Sequence, residues 1–170
     1  MSRTRIALVG ALVAAIAAVS AVSALAAPPS SDSQNQTVKF TNRASVQLTL
    51  DTPTVDFGNV DPLTTYSAAG GKANVKANAG WSLAMTAPAN FTESGAGTNT
   101  IPIGRLSLGI NGGAYSAVAT GPTAISSGAK TTNAGTDTTL AYQLALQFGD
   151  NPNTAGQNYQ AVLQYTATTP

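Results

Sequence analysis

Apolar and polar residues alternate along several short stretches of the chain, most clearly from Lys72 to Thr86. Its first part, Lys72–Asn78, places alanine and valine at every second position, between lysines and asparagines. Its second part, Trp81–Thr86, places Trp, Leu and Met at every second position. A period of two is typical of a strand with one buried face, and Asn78-Ala79-Gly80 predicts the break between two such strands. We expect Trp81 to lie at the centre of a core between sheets.

The same period recurs in other segments, separated by residues that favour turns. Asn111-Gly112-Gly113 predicts a hairpin turn with positive φ angles, and Gly104 predicts a bulge. The polar segment Thr120–Asp137 is long for a loop, so it contains a short edge strand or has a function. The further predicted strands are Val38–Phe40, Val46–Leu50, Val55–Phe57, Ile101–Ile110, Tyr115–Val118, Leu140–Phe148 and Tyr159–Thr166.

These patterns predict an all-β fold, since only the N-terminal segment is compatible with a helix. Short strands separated by turns favour an antiparallel, immunoglobulin-like β-sandwich of about eight or nine strands. We expect the closing strands, Leu140–Phe148 and Tyr159–Thr166, to be antiparallel strands with one solvated face.

The N-terminus has the pattern of a cleaved signal peptide. Arg3 and Arg5 precede the apolar run Ile6–Val22, and Ala24-Leu25-Ala26 supplies small residues for a signal peptidase. We predict cleavage after Ala26; the alternative is a retained membrane anchor. The protein is then secreted, extracellular or associated with the cell wall, and it has no membrane contact after cleavage.

The predicted domain organisation follows from this cut. Residues 1–26 form the signal peptide, residues 27–37 a Pro-, Ser- and Gln-rich flexible leader, and residues 38–170 the β-sandwich domain. The whole chain has a formal net charge of +1, but the chain that remains after cleavage contains six basic and seven acidic residues. Nucleic acid is not an expected partner, because the chain lacks a concentrated basic patch.

Catalysis has little support in the sequence. The chain contains no histidine and no cysteine, so the usual imidazole base, thiol nucleophile and soft metal ligands are missing. Asp51, Asp56 and Asp61 form the only acidic cluster, and their positions at turns and on the polar side of a strand predict solvated structural roles. Glu93 is expected in a polar loop without apolar surroundings that would raise its pKa. We predict that the protein is not an enzyme and has no cofactor and no metal.

One group of motifs resembles a known family. Gly80-Trp81-Ser82-Leu83 is a tryptophan-x-leucine motif, and Phe91 follows it. Leu50–Gly58 and Ala155–Tyr165 are similar to the opening and closing strands of the WxL domain of Gram-positive surface proteins. The resemblance covers the chain from about Leu48 to Thr169, although Tyr165-Thr166-Ala167 replaces the family's second motif.

The resemblance implies an all-β domain that attaches non-covalently to the cell wall through peptidoglycan. It implies Trp81, Leu83 and Tyr165 as candidate binding residues. The alternative for Trp81 is a core aromatic that packs two sheets together.

Two functions remain open. The first is a non-catalytic surface protein whose partners are cell-wall polymer or other surface proteins. The second is self-assembly, as a subunit of an extracellular filament in which one copy lends a strand to the next. Thr37–Leu50 alternates and follows the leader, as a donated strand would, but it could equally be the first strand of its own sheet.

Overall fold

The computed structural model describes residues 36–170. The predicted signal peptide and residues 27–35 of the predicted leader lie outside the described residues. The chain divides between Phe40 and Thr41, and the compact unit Thr41–Pro170 contains all the secondary structure described here. Its strands are β1 (Val46–Leu50), β2 (Thr65–Ala77), β3 (Trp81–Ala87), β4 (Asn90–Glu93), β5 (Thr100–Pro102), β6 (Leu106–Ile110), β7 (Ser116–Ala117), β8 (Gly121–Gly128), β9 (Thr136–Ala145), β10 (Tyr159–Gln160) and β11 (Gln164–Thr168).

The strands form three antiparallel sheets. Sheet A has the order β1-β2-β9-β6-β7, sheet B the order β11-β3-β8, and sheet C the order β10-β4-β5. A single 3₁₀ turn, Ile103–Arg105, is the only helical element between residues 36 and 170. Residues 36–170 contain no helix that is long and apolar enough to span a membrane. The prediction of an all-β, antiparallel fold is confirmed.

The core contains side chains from both larger sheets, which is consistent with a β-sandwich. Alternate residues of β2 and β9 in sheet A are buried together with alternate residues of β3 in sheet B. Most of this alternation was visible in the sequence. The largest fully buried side chains are Leu83, Met85, Leu140, Val75 and Thr138.

The link Asn78–Gly80 carries the chain from sheet A to sheet B. Asn78 also holds the segment before β1, because its Nδ2 donates to the Arg43 carbonyl at 2.7 Å. Its Oδ1 accepts a hydrogen bond from the Ser45 amide, also at 2.7 Å. We call this set of contacts the Asn78 clamp. The predicted break is confirmed, and it separates strands of different sheets.

The predicted hairpin turn is confirmed. Asn111 and Gly112 have φ angles of 51° and 74°, and the Gly113 amide donates to the Ile110 carbonyl at 2.9 Å. Two consecutive positive φ angles are typical of a primed turn, which matches the twist of the flanking strands. This turn connects β6 to β7.

Three local predictions were wrong. Val38–Phe40 and Val55–Phe57 are not strands. In the second segment Asp56 accepts a hydrogen bond from the Gly58 amide at 2.8 Å, which favours a turn. At Gly104 the chain forms the 3₁₀ turn in place of a bulge.

The polar segment Thr120–Asp137 contains the eight-residue strand β8, which pairs with β3 at an edge of sheet B. The prediction of an edge strand within this segment is therefore confirmed. β8 consists mostly of glycine and small side chains, so it lacks the alternation of large apolar residues that marks the other strands.

The closing segments also differ from expectation. β9 ends at Ala145 and pairs with β2 and β6, so Leu146–Phe148 is not strand. The segment Tyr159–Thr166 divides into β10, which pairs with β4, and β11, which pairs with β3. The structure thus has eleven strands in the described residues, more than predicted, because long alternating runs divide between sheets.

Candidate functional site

Sheet B brings the three candidate binding residues onto adjacent strands. β3 carries Trp81 and Leu83, and β11 carries Tyr165. In the antiparallel register Ala167 lies opposite Leu83, and Tyr165 lies opposite Met85. The tryptophan-x-leucine motif and the segment that replaces the second motif are therefore neighbours, and all three candidate residues belong to the inner face of the sheet.

Trp81 lies in the core, as expected. Its side chain is 4% exposed and that of Leu83 is 1% exposed. The indole packs against Gly128, because a Cβ atom at Gly128 would lie 3.1 Å from Trp81 Nε1. That nitrogen finds no hydrogen-bond acceptor within the described part of the chain. Trp81 thus packs the sheets together, and its indole does not reach the solvent.

Tyr165 links the two large sheets. It is half-buried on β11, and its hydroxyl forms a hydrogen bond with the hydroxyl of Tyr142 on β9. Burial raises the pKa of both phenols above their usual value. Gly70 makes room for this pair, since a Cβ atom there would lie 2.5 Å from Tyr142 Cε2. Both hydroxyls therefore stay protonated and serve to join the sheets.

The opposite surface of sheet B is exposed and polar. Because side chains alternate between the faces of a strand, the residues between the buried ones point to solvent. Ser82 Oγ and Thr168 Oγ1 lie 2.9 Å apart across β3 and β11. We call this surface the hydroxyl face. Its exposed members on β3 and β11 are Ser82, Thr86, Gln164, Thr166 and Thr168.

The hydroxyl face has no formal charge. The three strands of sheet B contain no Asp, Glu, Lys or Arg. Sheet A differs, since Lys72 Nζ lies 3.1 Å from Asp137 Oδ2 on its outer surface. The hydrogen bond from Asn74, together with Lys72, lowers the pKa of Asp137. The two sheets therefore present outer surfaces of different chemistry, one charged and one made of hydroxyl and amide groups.

Glu93 occupies a different environment from the predicted polar loop. It ends β4, it is 5% exposed, and its carboxylate accepts four hydrogen bonds. Thr154 donates through its amide and its Oγ1, and Asn99 donates through its amide and its Nδ2. The hydrogen bond from the Thr154 amide, followed by the Asn99 donors, outweighs burial and lowers the pKa of Glu93. This carboxylate stabilises two loops and has no free lone pair for acid-base chemistry.

A second buried carboxylate was missed by sequence reasoning. The Asp150 side chain is 5% exposed and receives two nitrogen donors from Arg105, with Nε–Oδ2 at 2.8 Å and Nη2–Oδ1 at 2.9 Å. The Arg105 guanidinium holds the pKa of Asp150 below its usual value. The two residues are 45 positions apart and lie in unremarkable turns, so no local pattern indicates that they pair.

The predicted acidic cluster does not converge into a site. Asp51 Oδ1 accepts from the Lys72 amide at 2.6 Å, and Asp61 Oδ2 lies 3.2 Å from the Tyr66 hydroxyl. Asp56 accepts a hydrogen bond within its own turn, so each of the three carboxylates stabilises a different local segment. Within residues 36–170, no group of three or more His, Cys, Asp or Glu side chains is arranged to hold a metal ion.

Comparison of the chain with protein-family models, curated proteins and solved structures found no match. The resemblance to the WxL domain stays a prediction based on the sequence motifs. A function for this chain therefore rests on the geometry of sheet B and its surroundings.

Proposed function

We propose that the protein is a secreted, non-catalytic cell-surface protein whose immunoglobulin-like β-sandwich associates non-covalently with cell-wall peptidoglycan through the hydroxyl face. The observation that carries this proposal is the charge-free outer surface of sheet B. The WxL-like motif supports it, because Trp81 and Leu83 lie on the inner side of the same strand that exposes Ser82.

The chemistry of the hydroxyl face suits a neutral, hydrogen-bonding polymer. Threonine and serine hydroxyls donate and accept hydrogen bonds, and the Gln164 amide does both through separate atoms. Sugar hydroxyls and acetamido groups offer the same combination. Because no charge has to be desolvated, such contacts form without the large cost of burying an ion.

In this proposal the buried residues of the motif act indirectly. Trp81 and Leu83 anchor β3 to the core, which fixes the positions of the exposed side chains between them. Neighbouring strands lie about 4.8 Å apart, and alternate residues along a strand about 7 Å apart, so the face is a regular array of polar groups. A repeating polymer can contact such an array at several points at once.

The test is co-sedimentation of the purified exported chain with insoluble peptidoglycan. We expect binding at low and high salt alike, because ionic screening acts on charges and not on neutral hydrogen bonds. Thr166→Glu places a charge in the middle of the hydroxyl face and should weaken binding about tenfold or more, the effect of losing one or two hydrogen bonds. Thr49→Glu is the matched control, since Thr49 is equally an exposed strand threonine but lies on sheet A.

Three results would contradict the proposal. The first is a protein that does not sediment at any salt concentration. The second is equal binding by Thr166→Glu and the parent, which would exclude the hydroxyl face. The third is equal weakening by Thr49→Glu, which would show that net charge and not the site controls binding.

A further inference from the structure

One side of the domain has an incompletely covered core. β1 is an edge strand of sheet A, β11 is an edge strand of sheet B, and the two lie beside each other without pairing. Their inward apolar side chains are only half-buried, whereas those of the central strands β2, β3 and β9 are almost all buried. We call this side the seam. Its half-buried residues are Val46, Leu48, Leu50, Leu163, Tyr165 and Ala167.

The edges at the seam lack the usual protection against pairing. Natural edge strands are typically guarded by charges, proline or bulges. β8, the other edge of sheet B, has two such features: Pro122, and a register shift that leaves Ile125 unpaired. β1 and β11 contain no charged residue and no proline. Their free backbone groups are therefore open to an additional strand.

A segment of the same chain has the properties of such a strand. Residues 36–45 form no strand, yet Val38 is 79% exposed and Phe40 is 87% exposed. Their spacing of two residues places both side chains on one face of an extended segment. Two large apolar side chains on one face of an extended segment form a small apolar patch, which is the kind of surface that a partner covers.

The connection of this segment to β1 limits whether it can reach the seam of its own chain or that of a second copy. The Asn78 clamp holds Arg43 and Ser45 in the run that leads directly into β1. Residues 37–41 could return to the seam of their own chain only by reversing direction within that clamped run. A second copy imposes no such constraint.

We propose that residues 37–41 of one copy bind as an additional strand along the seam of a second copy. Val38 and Phe40 cover the half-buried side chains around Leu48 and Tyr165, and the backbone pairs with a free edge. The two copies contribute different surfaces, so the contact is heterologous and each new copy exposes a further seam. The product is a linear assembly of this chain, formed independently of any wall polymer.

The first experiment is sedimentation velocity of the exported chain over a range of concentrations. We expect species larger than a dimer as concentration rises. Phe40→Asp should leave only monomer, because a charge cannot enter the apolar seam without a large desolvation cost. Phe148→Asp is the matched control, since Phe148 is an aromatic that is 79% exposed and lies outside both the donor segment and the seam. This variant should assemble as the parent does.

The second experiment tests the donor segment and the acceptor seam independently of each other. Phe40→Asp disables the donor but leaves the seam intact, so this monomeric variant should bind a fluorescent peptide of residues 30–45. The same peptide with Phe40→Asp should bind about 10- to 100-fold more weakly, as expected for losing one buried aromatic. Leu48→Asp in the protein should weaken binding of the unmodified peptide in the same way.

A chain that stays monomeric at all concentrations would overturn the proposal. Assembly that survives Phe40→Asp, or that is equally lost in Phe148→Asp, would also overturn it. Failure of the peptide to bind the Phe40→Asp protein would exclude the seam as the acceptor. Because no wall polymer is present, these outcomes are independent of the peptidoglycan experiment.

Discussion

At the scale of single residues, Trp81 and Gly128 form a close contact between two neighbouring strands of sheet B. The indole lies against the glycine, and a Cβ atom at Gly128 would be only 3.1–3.2 Å from the indole atoms. Periodicity in the sequence is sufficient to predict that Trp81 is buried. It gives no indication of Gly128, because that contact depends on the pairing of β3 with β8.

We expect Trp81→Ala to lower the free energy of unfolding by about 3–5 kcal/mol, the range for deleting a large core aromatic. Urea unfolding followed by circular dichroism measures this, since the variant loses the only tryptophan. Gly128→Ala should also destabilise, because its Cβ would press on the indole, whereas Gly149→Ala should not, because a Cβ atom there would have no neighbour within 4 Å beyond the adjacent residues of the chain. Equal stability of Gly128→Ala and Gly149→Ala would show that the indole does not rest on Gly128.

At the scale of elements, the sequence predicts most strands but not their partners. Alternation is local, so β2, β3 and β9 are recognisable from their own residues. Pairing is not local: β10 and β11 follow one another closely yet join different sheets. Glu93 shows the same limit, because the donors that surround it come from loops far apart in the chain.

Glu93 joins the end of β4 to two loops, and its ionisation should control their stability. Its pKa is lowered in the folded state, so it stabilises the fold above its ordinary value of 4.5, and this contribution is lost as pH falls through the folded pKa. Glu93→Gln should lower the urea midpoint at pH 7, because its NH₂ group would meet donors of Thr154 or Asn99.

As pH falls below 4.5 and then through the lowered folded pKa of Glu93, the difference in urea midpoint between Glu93→Gln and the parent should shrink, since the parent carboxylate becomes protonated. Asp150→Asn is a useful comparison, because Asp150 also has a lowered pKa but a different partner. A difference between Glu93→Gln and the parent that does not change with pH would mean that the Glu93 charge is not what stabilises the loops.

At the scale of the whole molecule, the Tyr142–Tyr165 hydrogen bond joins the two large sheets. Burial raises the pKa of both phenols above 10.0 in the folded state. Their contribution is therefore complete below pH 10 and is lost as pH rises towards the folded values, because the unfolded chain releases these protons first.

We expect the thermal midpoint to fall steeply above about pH 10, where unfolded tyrosine ionises. The double variant Tyr142→Phe with Tyr165→Phe keeps both rings and should flatten this decline. Tyr115→Phe is the control, because Tyr115 is partly exposed and takes no part in the pair. An unchanged alkaline decline in the double variant would contradict the role of the pair.

The seam and the hydroxyl face could not be predicted from the sequence as surfaces. The sequence gives the residues of β11 and their alternation, but not that β1 lies beside β11. It likewise gives the hydroxyls of β3, β8 and β11 in separate segments, and only the register shows that they share one uncharged face.

The Asn78 clamp also determines how the domain responds to mechanical load. The hydrogen bonds between β1 and β2 run perpendicular to the strands. Tension applied at Asn42 along the axis of β1 therefore loads these bonds in shear, all together, and not one after another as in unzipping. Asn78 adds its own bonds to Arg43 and Ser45 at the point where the force enters. In the linear assembly that we propose, tension carried through the N-terminal segments would thus be borne by the β1–β2 hydrogen bonds in shear and by the Asn78 clamp, since the chain has no cysteine to form a disulfide.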